Sequence, residues 1–426
     1  MRKTSSARMA MNGRFKIFSD PVHGFISIPR GLVLDLVASP EVQRLRRIRQ
    51  LGIGHMVFPG AEHSRFGHAL GAMALMHDAL SSLSEKGTDI SAEEIHAAQI
   101  AALLHDVGHG PFSHTLEHEL LTDFNHEQMS RALLARLNRR FGGQLEMALA
   151  MFDDTYERCW FNDLISSQLD MDRLDYLRRD SYYTGVVEGR VGVGRIIKTL
   201  RVHPGSTPSD DRIVVEAKGS YAVENFLIAR RLMYWQVYLH KTVVSAEFLL
   251  MNILIRAKEM AASGMELDAS TSMRYFLYRK EVCEIKNSEE WLKHFVKLDD
   301  YDMLYSIKQW IDCGDPLLSN MCKRLINRRL LKTKNVDEPL SEEALKNLQQ
   351  KGAEALGFSA DDMRYLVFQK SLSNTAYTTK NDSITILYKD GTAKDISEAA
   401  TIFQFSTLES IETKHFIYFP DEVLFQ

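Results

Sequence analysis

Hydrophobic positions along most of the chain repeat at helical spacing, with polar positions between them. After a break before Pro40, four apolar residues recur every three positions and predict a helix: Val42, Leu45, Ile48 and Leu51. Residues 243–255 form the most apolar run, which predicts a core helix because it is too short to span a bilayer and contains Glu247 and Asn252. Helical patterns continue to about residue 372, so the chain is expected to be mainly α.

Short alternating segments bounded by turn residues predict a few strands beside the helices. Apolar and polar residues alternate over residues 15–30 on both sides of a turn at Asp20-Pro21. A second strand-like segment has the sequence DRIVVEA, and a later segment carries the hairpin signal Asp390-Gly391. We therefore predict a helical bundle with small β-hairpins. The expected organisation is a disordered tail over residues 1–14, a helical domain with a helical extension over residues 15–335, and a small α+β region over residues 336–426.

A histidine-rich stretch follows the helix that Ser91 opens. Ser91 and Glu94 form a capping box at the start of that helix, and its buried stripe ends in His105. Asp106 comes next, and glycines with a proline then break the helix. Because neutral imidazole and carboxylate are the ligands that hard-to-borderline divalent metals prefer, the adjacent histidine and aspartate predict one edge of a metal site.

Two further helices offer ligands of the same kind. One is predicted to begin near the N-cap residue Ser64 and carries His68 on an otherwise apolar stripe; the other carries Asp172. The face of that second helix is expected to comprise Ile165, Leu169, Asp172, Tyr176 and Asp180. Other charged residues of the same helix are expected to form ion pairs on its surface: Asp170, Arg173, Asp175, Arg178 and Arg179. The alternative roles are a hydrogen-bonded core histidine for His68 and an interhelical salt bridge for Asp172.

These residues together favour chemistry on phosphate esters. Two histidines and two aspartates form a mixed ligand set suited to one Mn, Fe, Zn, Ni or Mg ion: His68, His105, Asp106 and Asp172. Three guanidinium groups match phosphate oxygens: those of Arg65, Arg173 and Arg230. His126, with Glu127 or Glu117 near it in sequence, is a candidate general acid for a leaving oxygen. The residues thus predict a metal-dependent phosphohydrolase that acts on an anionic substrate.

Charge and cysteine content narrow the function further. The formal net charge of −4 argues against a nucleic-acid binder held by global positive charge. The four cysteines form no CxxC pair, so neither a disulfide framework nor a cysteine zinc site is indicated, and a cytoplasmic location is expected. The basic N-terminal residues precede no apolar run, so neither a signal peptide nor a membrane partner is predicted. A basic cluster at residues 323–334 is either a solvated helix end or a phosphate site at a subunit contact.

Several ordered segments resemble those of the HD-superfamily phosphohydrolases. The matching segments are DPVHGFISIP, QRLRRIRQLG, VFPGAEHSRFGHALG, IAALLHDVGHGPFSH, HEQ and DMDRLDYLRRD, with ARRLMYWQVYLHK as a looser match. They cover residues 16 to about 245 well and the rest more faintly. More narrowly, the set resembles the deoxynucleoside triphosphate (dNTP) triphosphohydrolases of the branch that contains the vertebrate sterile-alpha-motif/HD enzymes. The resemblance implies that residues 15–335 form an HD-domain helical bundle.

The resemblance also implies roles for individual residues. It implies that one divalent ion is held by His68, His105, Asp106 and Asp172. It implies that His126 is the catalytic histidine with Glu117 as its acidic partner, and that the phosphates contact Arg65, His109, Arg173 and Arg230. His114 is expected among the substrate-binding residues. It implies a deoxyribose pocket made by Gln50, Leu51, Tyr176, Asp180 and Tyr238. In that pocket Asp180 and Gln50 would hold the 3′-hydroxyl, and Tyr176 would crowd out a 2′-hydroxyl.

The reaction implied is the conversion of a dNTP and water to a deoxynucleoside and inorganic triphosphate, by attack at the α-phosphorus. A homo-oligomer (dimer, tetramer or hexamer) and a nucleotide activator at a subunit interface are implied as well. Gln43 and Arg46 of that activator site are retained, whereas Ala38 stands where the comparable enzyme has an aspartate that reads guanine, and Leu239 replaces a polar residue beside the sugar. Two other classes stay open: another HD phosphohydrolase, such as a nucleotidase, phosphodiesterase or single-strand nuclease, and a non-catalytic nucleotide sensor.

Overall fold

Helices dominate the computed structural model, which describes residues 15–112, 125–279, 288–374, 383–399 and 412–423. The predicted mainly α fold class, with small hairpins and an α+β C-terminal region, is confirmed. The expected tail at residues 1–14 and two candidate site residues, His114 and Glu117, lie outside the described residues.

The elements follow one another in chain order. The helices are α1 Leu32–Val37, α2 Pro40–Gln43, α3 Arg65–Glu85, α4 Ala92–Leu104, α5 His126–Arg140, α6 Glu146–Phe152, α7 Trp160–Ile165, α8 Met171–Thr184, α9 Val193–Thr199, α10 Ser220–Met233, α11 Lys241–Ala262, α12 Thr271–Leu277, α13 Glu289–Lys297, α14 Asp300–Trp310, α15 Pro316–Ile326, α16 Glu342–Leu356 and α17 Ile396–Ala399. The strands are β1 Phe15–Asp20, β2 Gly24–Pro29, β3 Leu200–His203, β4 Arg212–Glu216, β5 Lys332–Val336, β6 Phe368–Asn374, β7 Thr385–Leu387, β8 Ala393–Asp395 and β9 Glu412–Phe419.

Helix α3 is the centre of the bundle that holds the site. It packs against α4 and α8 and is buried around most of its circumference, as expected of a helix whose side chains are apolar on every side. It begins where the sequence predicts, after Ser64, although that hydroxyl makes no capping hydrogen bond within the described part of the chain. The capping box of α4 is confirmed, since Ser91 and Glu94 bond to each other's backbone nitrogens.

The helix predicted through Val42 and Leu51 is wrong beyond Gln43. The chain tightens into a 3₁₀ turn and becomes extended at Ile48. The backbone then bonds to the residues that precede α3: Gln50 N donates to His63 O at 2.9 Å, and Arg65 N donates to Ile48 O at 2.9 Å. These bonds between distant segments replace the helical bonds that the apolar spacing favoured.

The helix predicted to carry Asp172 is interrupted, which corrects the stripe that joined Ile165 and Leu169 to it. Helix α7 ends at Ile165 and α8 begins at Met171. Asp170 is the N-cap of α8, and its carboxylate accepts hydrogen bonds from Arg173 N at 2.7 Å and from Ser167 N at 2.9 Å. Asp170 is fully buried, so its predicted place on a solvated surface is wrong.

The strands form two larger sheets and one hairpin. The predicted hairpins are confirmed as the pairs β1–β2, β3–β4 and β7–β8, all antiparallel. Strand β7 also pairs in parallel with β4, which joins the C-terminal residues to the bundle. The helical pattern expected to continue to residue 372 is wrong at β5 and at the start of β6, because both strands pair with β9. Strand β5 also spans the predicted boundary between residues 335 and 336.

The basic cluster at residues 323–334 is partly engaged by the end of the chain. Arg324 is buried and its guanidinium binds Glu422 Oε1 at 2.7 Å. Arg329 binds the same carboxylate at 2.9 Å. The interpretation as a simple solvated helix end is therefore wrong for Arg324, which acidic residues after β9 cover, whereas the Arg329 side chain stays 56% exposed.

The apolar run at residues 243–255 lies in α11, and most of its apolar side chains are buried. Within the described residues, no individual helix has the length and apolar character needed to cross a membrane. One bent pair, Ala217–Tyr238 with Lys241–Ala262, meets those requirements by length and composition, with an angle of 54° between its halves.

Candidate metal centre

Side chains from three separate helical segments converge beside α3. His68 lies within α3, His105 caps the end of α4, and Asp172 lies in the first turn of α8. His68 Nε2 is 3.3 Å from His105 Nε2 and 3.0 Å from Asp172 Oδ1, and His105 Nε2 is 3.5 Å from the same oxygen. The three ligand atoms therefore face one point and could hold a metal ion.

Asp106 lies at the edge of this cluster. Its Oδ1 is 3.5 Å from His105 Nε2, and its Oδ2 is 3.6 Å from His68 Nε2. The same carboxylate also binds the guanidinium of Arg65 and lies 3.2 Å from His109 Nε2. The four predicted ligands thus lie close together. Asp106 contacts both the ligand cluster and two further side chains, Arg65 and His109.

The Nδ1 atoms of His68 and His105 point away from the ligand cluster and already form hydrogen bonds. These bonds decide whether the opposite nitrogens, the Nε2 atoms, can bind a metal. His68 Nδ1 donates to Asp175 Oδ2 at 2.7 Å, and His105 Nδ1 donates to Ala102 O at 2.7 Å. With the proton on Nδ1, each Nε2 presents its lone pair to the common point. Two imidazole nitrogens and two carboxylates in this arrangement fit a divalent ion with open positions for other ligands.

The electrostatics of the cluster also favour a cation. Burial alone would lower the pKa of His68, but hydrogen bonds to Asp172 and Asp175 raise that pKa to about 10. Burial opposes ionisation of Asp172 too, yet its hydrogen bonds to His105 and His68 hold its pKa well below the usual range. The carboxylates thus draw positive charge to the point where the ligand atoms meet, and a divalent ion would take the place of that proton.

The start of α5 lies directly against the turn that carries His105. Gly108 N donates to Ser130 Oγ at 2.9 Å, and that hydroxyl donates to His105 O at 2.7 Å. A Cβ at Gly108 would lie 2.2 Å from Ser130 N and 2.3 Å from His126 O, so only glycine permits this approach. The contact places the His126 ring on the His109 ring, with centroids 4.1 Å apart and planes 15° from parallel.

A chain of phenols leads away from the metal cluster. The Tyr176 ring lies 6.5 Å from the His68 ring and 6.1 Å from the Tyr238 ring. Tyr238 OH donates to Asp180 Oδ2 at 2.8 Å. Burial and the nearby carboxylate raise the pKa of Tyr238 well above its usual value, so this phenol stays protonated as a donor.

The proposed sugar residues meet near His63, which the sequence interpretation missed. His63 Nε2 is 2.7 Å from Asp180 Oδ1, and its ring stacks on Tyr183 at 4.4 Å. Gln50 lies next to it through the backbone bond to His63 O, and Gln50 Oε1 is buried without a hydrogen-bond partner among the described residues. Leu51 is half-buried beside this group. A buried acceptor without a partner can take a hydrogen bond from water or from a bound molecule.

The remaining arginines also lie around the phenols. Arg173 binds the carboxylate of Asp170, and Arg230 Nη1 donates to Gln168 Oε1 at 2.6 Å. Both guanidinium charges act on the Tyr176 phenol and partly offset the effect of its burial, which raises its pKa. Arg173 and Arg230 therefore border the metal cluster on the Tyr176 side, while Arg65 borders it on the Asp106 side.

Gln43 and Arg46, which the sequence resemblance relates to an activator site, lie next to each other near the surface. Gln43 Oε1 accepts from Arg46 Nε at 3.0 Å, and the Arg46 guanidinium lies 3.6 Å from the centre of the Phe66 ring. Ala38 is exposed at the end of α1.

Comparisons with known proteins agree with this geometry. Residues 65–179, which contain all four predicted ligands, match the model of the HD domain, and residues 191–276 match that of the HD associated region. An uncharacterized protein of Bacillus subtilis, YwfO, is 34% identical over 422 residues, which cover 96% of this chain and 93% of that protein. This chain belongs to the HD-domain family. The assignment made from its sequence motifs is confirmed.

Two further relatives of this HD-domain protein carry functional names. The crystal structure of a phosphohydrolase from Bacteroides thetaiotaomicron has a TM-score of 0.91 and 46% sequence identity, and covers 95% of this chain and 99% of that chain. Bos taurus SAMHD1, a deoxynucleoside triphosphate triphosphohydrolase, is 26% identical over 372 residues, which cover 76% of this chain and 59% of that protein.

Two charged residues of the HD domain that were predicted at the surface are buried instead. Asp175 and Arg179 are 0% and 1% exposed, and they bind each other through Arg179 Nε and Asp175 Oδ2 at 2.9 Å. Glycines on α3 leave the space for them: a Cβ at Gly71 would lie 1.9 Å from Asp175 Oδ1, and one at Gly67 would lie 3.2 Å from Arg179 Nη1. The pair of glycines around His68 was the signal in the sequence that a partner helix approaches there.

Replacing Gly71 by alanine should lower the free energy of unfolding by about 1–3 kcal/mol, the usual cost of forcing extra atoms into a packed core. The added Cβ would displace Asp175, so a denaturant titration should show a lower midpoint. Gly194→Ala in α9 is the matched control, because a Cβ there meets nothing within 4 Å among the described residues. Equal stability of the two variants would contradict the tight approach of α3 and α8.

Proposed function

We propose that this HD-domain protein is a metal-dependent phosphohydrolase that cleaves dNTPs to deoxynucleosides and inorganic triphosphate. The observation that carries the proposal is one continuous set of contacts from the ligand cluster at His68, through Tyr176 and Tyr238, to Asp180. Such a set offers a metal for a phosphate and a polar pocket for a sugar within one site. The similarity to SAMHD1, named as a dNTP triphosphohydrolase, supports the same substrate class.

The ion would be held by His68, His105, Asp106 and Asp172. When bound, a divalent metal supplies Lewis-acid polarisation of a phosphoryl oxygen and a lowered pKa for water. Asp106 would keep Arg65 and His109 beside the same point, since it contacts both. Their positive and proton-donating groups would stabilise the charge that develops on the α-phosphate oxygens.

His126 would supply the proton for the leaving group. Water attacks the α-phosphorus and releases a proton to the solvent, the bond from phosphorus to the 5′-oxygen breaks, and the 5′-oxygen takes a proton from the His126 imidazole. The His109 ring stacked on His126 keeps it at the phosphate side of the site. Arg173 and Arg230 would bind the β- and γ-phosphates, which stay joined to the α-phosphate and are released with it as triphosphate.

The sugar would enter between the phenols and Gln50. The 3′-hydroxyl would lie between Gln50 and Asp180, and it could donate its single hydrogen bond to the buried Oε1 of Gln50. Tyr176, between the His68 and Tyr238 rings, would occupy the space that a ribose 2′-hydroxyl needs. Leu51 would cover the sugar ring on its apolar side.

Product analysis tests the proposal directly. Purified protein with Mn²⁺ or Mg²⁺ should convert each dNTP that it accepts to a deoxynucleoside and triphosphate, and chelation should stop the reaction. The matching ribonucleotide should react far more slowly, by roughly 10-fold to 10³-fold, because the pocket would have to displace Tyr176. Release of monophosphate with pyrophosphate, or activity on oligonucleotides only, would favour the other HD phosphohydrolase classes and overturn this proposal.

A further inference from the structure

The turn between β1 and β2 reaches into the wall of the metal centre. This turn, Asp20-Pro21-Val22-His23, belongs to the motif DPVHG, and none of the residues in that motif has a role in the proposed reaction. His23 Nε2 lies 2.6 Å from Asp175 Oδ1, and Asp175 Oδ2 accepts from His68 Nδ1 at 2.7 Å. We propose that His23 is a positioning residue of the metal centre, which acts through Asp175 on the ligand His68.

Asp20 holds the turn in the shape that this contact needs. Its Oδ1 accepts hydrogen bonds from Val22 N and His23 N, both at 2.9 Å, which fixes the backbone that carries the His23 ring. Its Oδ2 accepts from Arg179 Nη1 at 2.8 Å. One carboxylate therefore ties the turn to the same arginine that binds Asp175.

The Asp175 carboxylate is surrounded by donors. Oδ1 receives bonds from His23 and from Arg179 Nη2 at 3.0 Å, and Oδ2 receives bonds from His68 and from Arg179 Nε at 2.9 Å. A carboxylate that is bound on both oxygens cannot rotate without breaking several charge-assisted bonds. Its Oδ2 thus keeps the proton of His68 on Nδ1 and the lone pair of Nε2 aimed at the ligand cluster.

Burial makes this arrangement sensitive to the loss of one donor. The side chains of His23, Asp175 and His68 are 8%, 0% and 0% exposed. Water therefore has little access to replace a missing donor, and Asp175 Oδ1 would keep only its bond from Arg179 Nη2. The expected response is a shift of the carboxylate toward Arg179, which loosens the orientation of the His68 ring.

The contact also explains polar residues of the hairpin that its apolar packing, through Ile26 and Ile28 in the core, does not explain. One face of the hairpin is open to solvent, with Phe15, Ile17 and Phe25 exposed by 51%, 62% and 79%. Only the turn end carries a polar side chain into the buried network. The outer-shell role therefore explains why a histidine and an aspartate stand in this turn.

The inference rests on the metal centre and not on the identity of the substrate, so its test measures metal binding. Metal-free protein is titrated with Mn²⁺, and the free ion is followed by electron paramagnetic resonance. His23→Ala should raise the Kd for Mn²⁺ by about 10-fold to 100-fold, the usual effect of removing an outer-shell partner. His23→Gln, which can donate from its amide, should recover most of the affinity.

A matched control separates this effect from general damage. His415 on β9 makes a comparable hydrogen bond, 2.7 Å from Nδ1 to Ser371 Oγ, but at the surface, so His415→Ala should leave the Kd unchanged. If His23→Ala is too unstable to purify, His23→Phe keeps the ring volume without the donor and should show the same loss. Wild-type affinity in a folded His23→Ala or His23→Phe variant would overturn the inference. Wild-type protein that binds none of Mn²⁺, Fe²⁺, Zn²⁺, Ni²⁺ and Mg²⁺ would overturn the metal centre itself and, with it, the proposed function.

Discussion

Replacing His105 by alanine is expected to abolish stoichiometric metal binding and to reduce hydrolysis to background. His105 supplies one of the two imidazole nitrogens at the point where the ligand atoms meet, 3.3 Å from His68 Nε2. Removal of an outer-shell partner alone weakens metal binding about 10-fold to 100-fold, so loss of a direct ligand should cost at least about 100-fold. Elemental analysis of the purified protein and a Mn²⁺ titration would measure the change.

Asp106→Asn tests the other half of the motif without changing side-chain volume. The amide cannot carry the negative charge that faces His68, Arg65 and His109, so affinity for the ion should fall here too. His96→Ala is the control, because His96 is an exposed residue of α4, the helix that ends directly before His105. Retention of stoichiometric metal in His105→Ala would contradict the ligand assignment.

Local signals in the sequence predicted the elements that local interactions determine. The capping box at Ser91 correctly places the start of α4, and the turn at Asp390 correctly places the β7–β8 hairpin. Each depends on residues a few positions apart, which the sequence shows directly. The same holds for the ligand motif at His105, because the end of a buried helix fixes where its last side chains lie.

Contacts between distant segments could not be predicted in this way. Gln50 and His63 meet because the backbone near Arg49 pairs with that near Ser64, and helical spacing in the first segment concealed this bridge. The sequence pattern therefore did not indicate His63 as a site residue, although its 2.7 Å contact with Asp180 makes it part of the candidate sugar pocket.

Asp175 and Arg179 show a second limit of spacing arguments. Oppositely charged residues four positions apart on a helix can form an ion pair on a solvated or on a buried face. Their spacing in the sequence is the same in both cases, so it does not reveal burial. What decides burial is the partner surface, here the gap left by Gly67 and Gly71 on α3. A buried carboxylate beside a ligand then becomes part of the site, which is why the outer shell of His68 was found only in the folded chain.

The second large effect is expected at His126, the histidine proposed as the general acid. His126→Ala is expected to lower kcat by about 10²-fold to 10⁴-fold, the range for a general acid, while metal content and thermal stability stay near those of the wild type. The backbone at residue 126 and the contact of α5 with Gly108 do not depend on the imidazole, so the variant should fold. Single-turnover hydrolysis of a dNTP and elemental analysis on the same preparation would measure both quantities.

The pH profile distinguishes a proton donor from a residue that only packs. A general acid works in its protonated form, so the rate of the wild type should fall toward alkaline pH, and this decrease should be absent in His126→Ala. Gln128→Ala, an exposed position on the same helix, should keep both the rate and the profile. If His126→Ala retains the wild-type rate, the proton must come from another group. A slow variant with the wild-type profile would instead mean that the stacked ring only positions His109, which touches Asp106 directly.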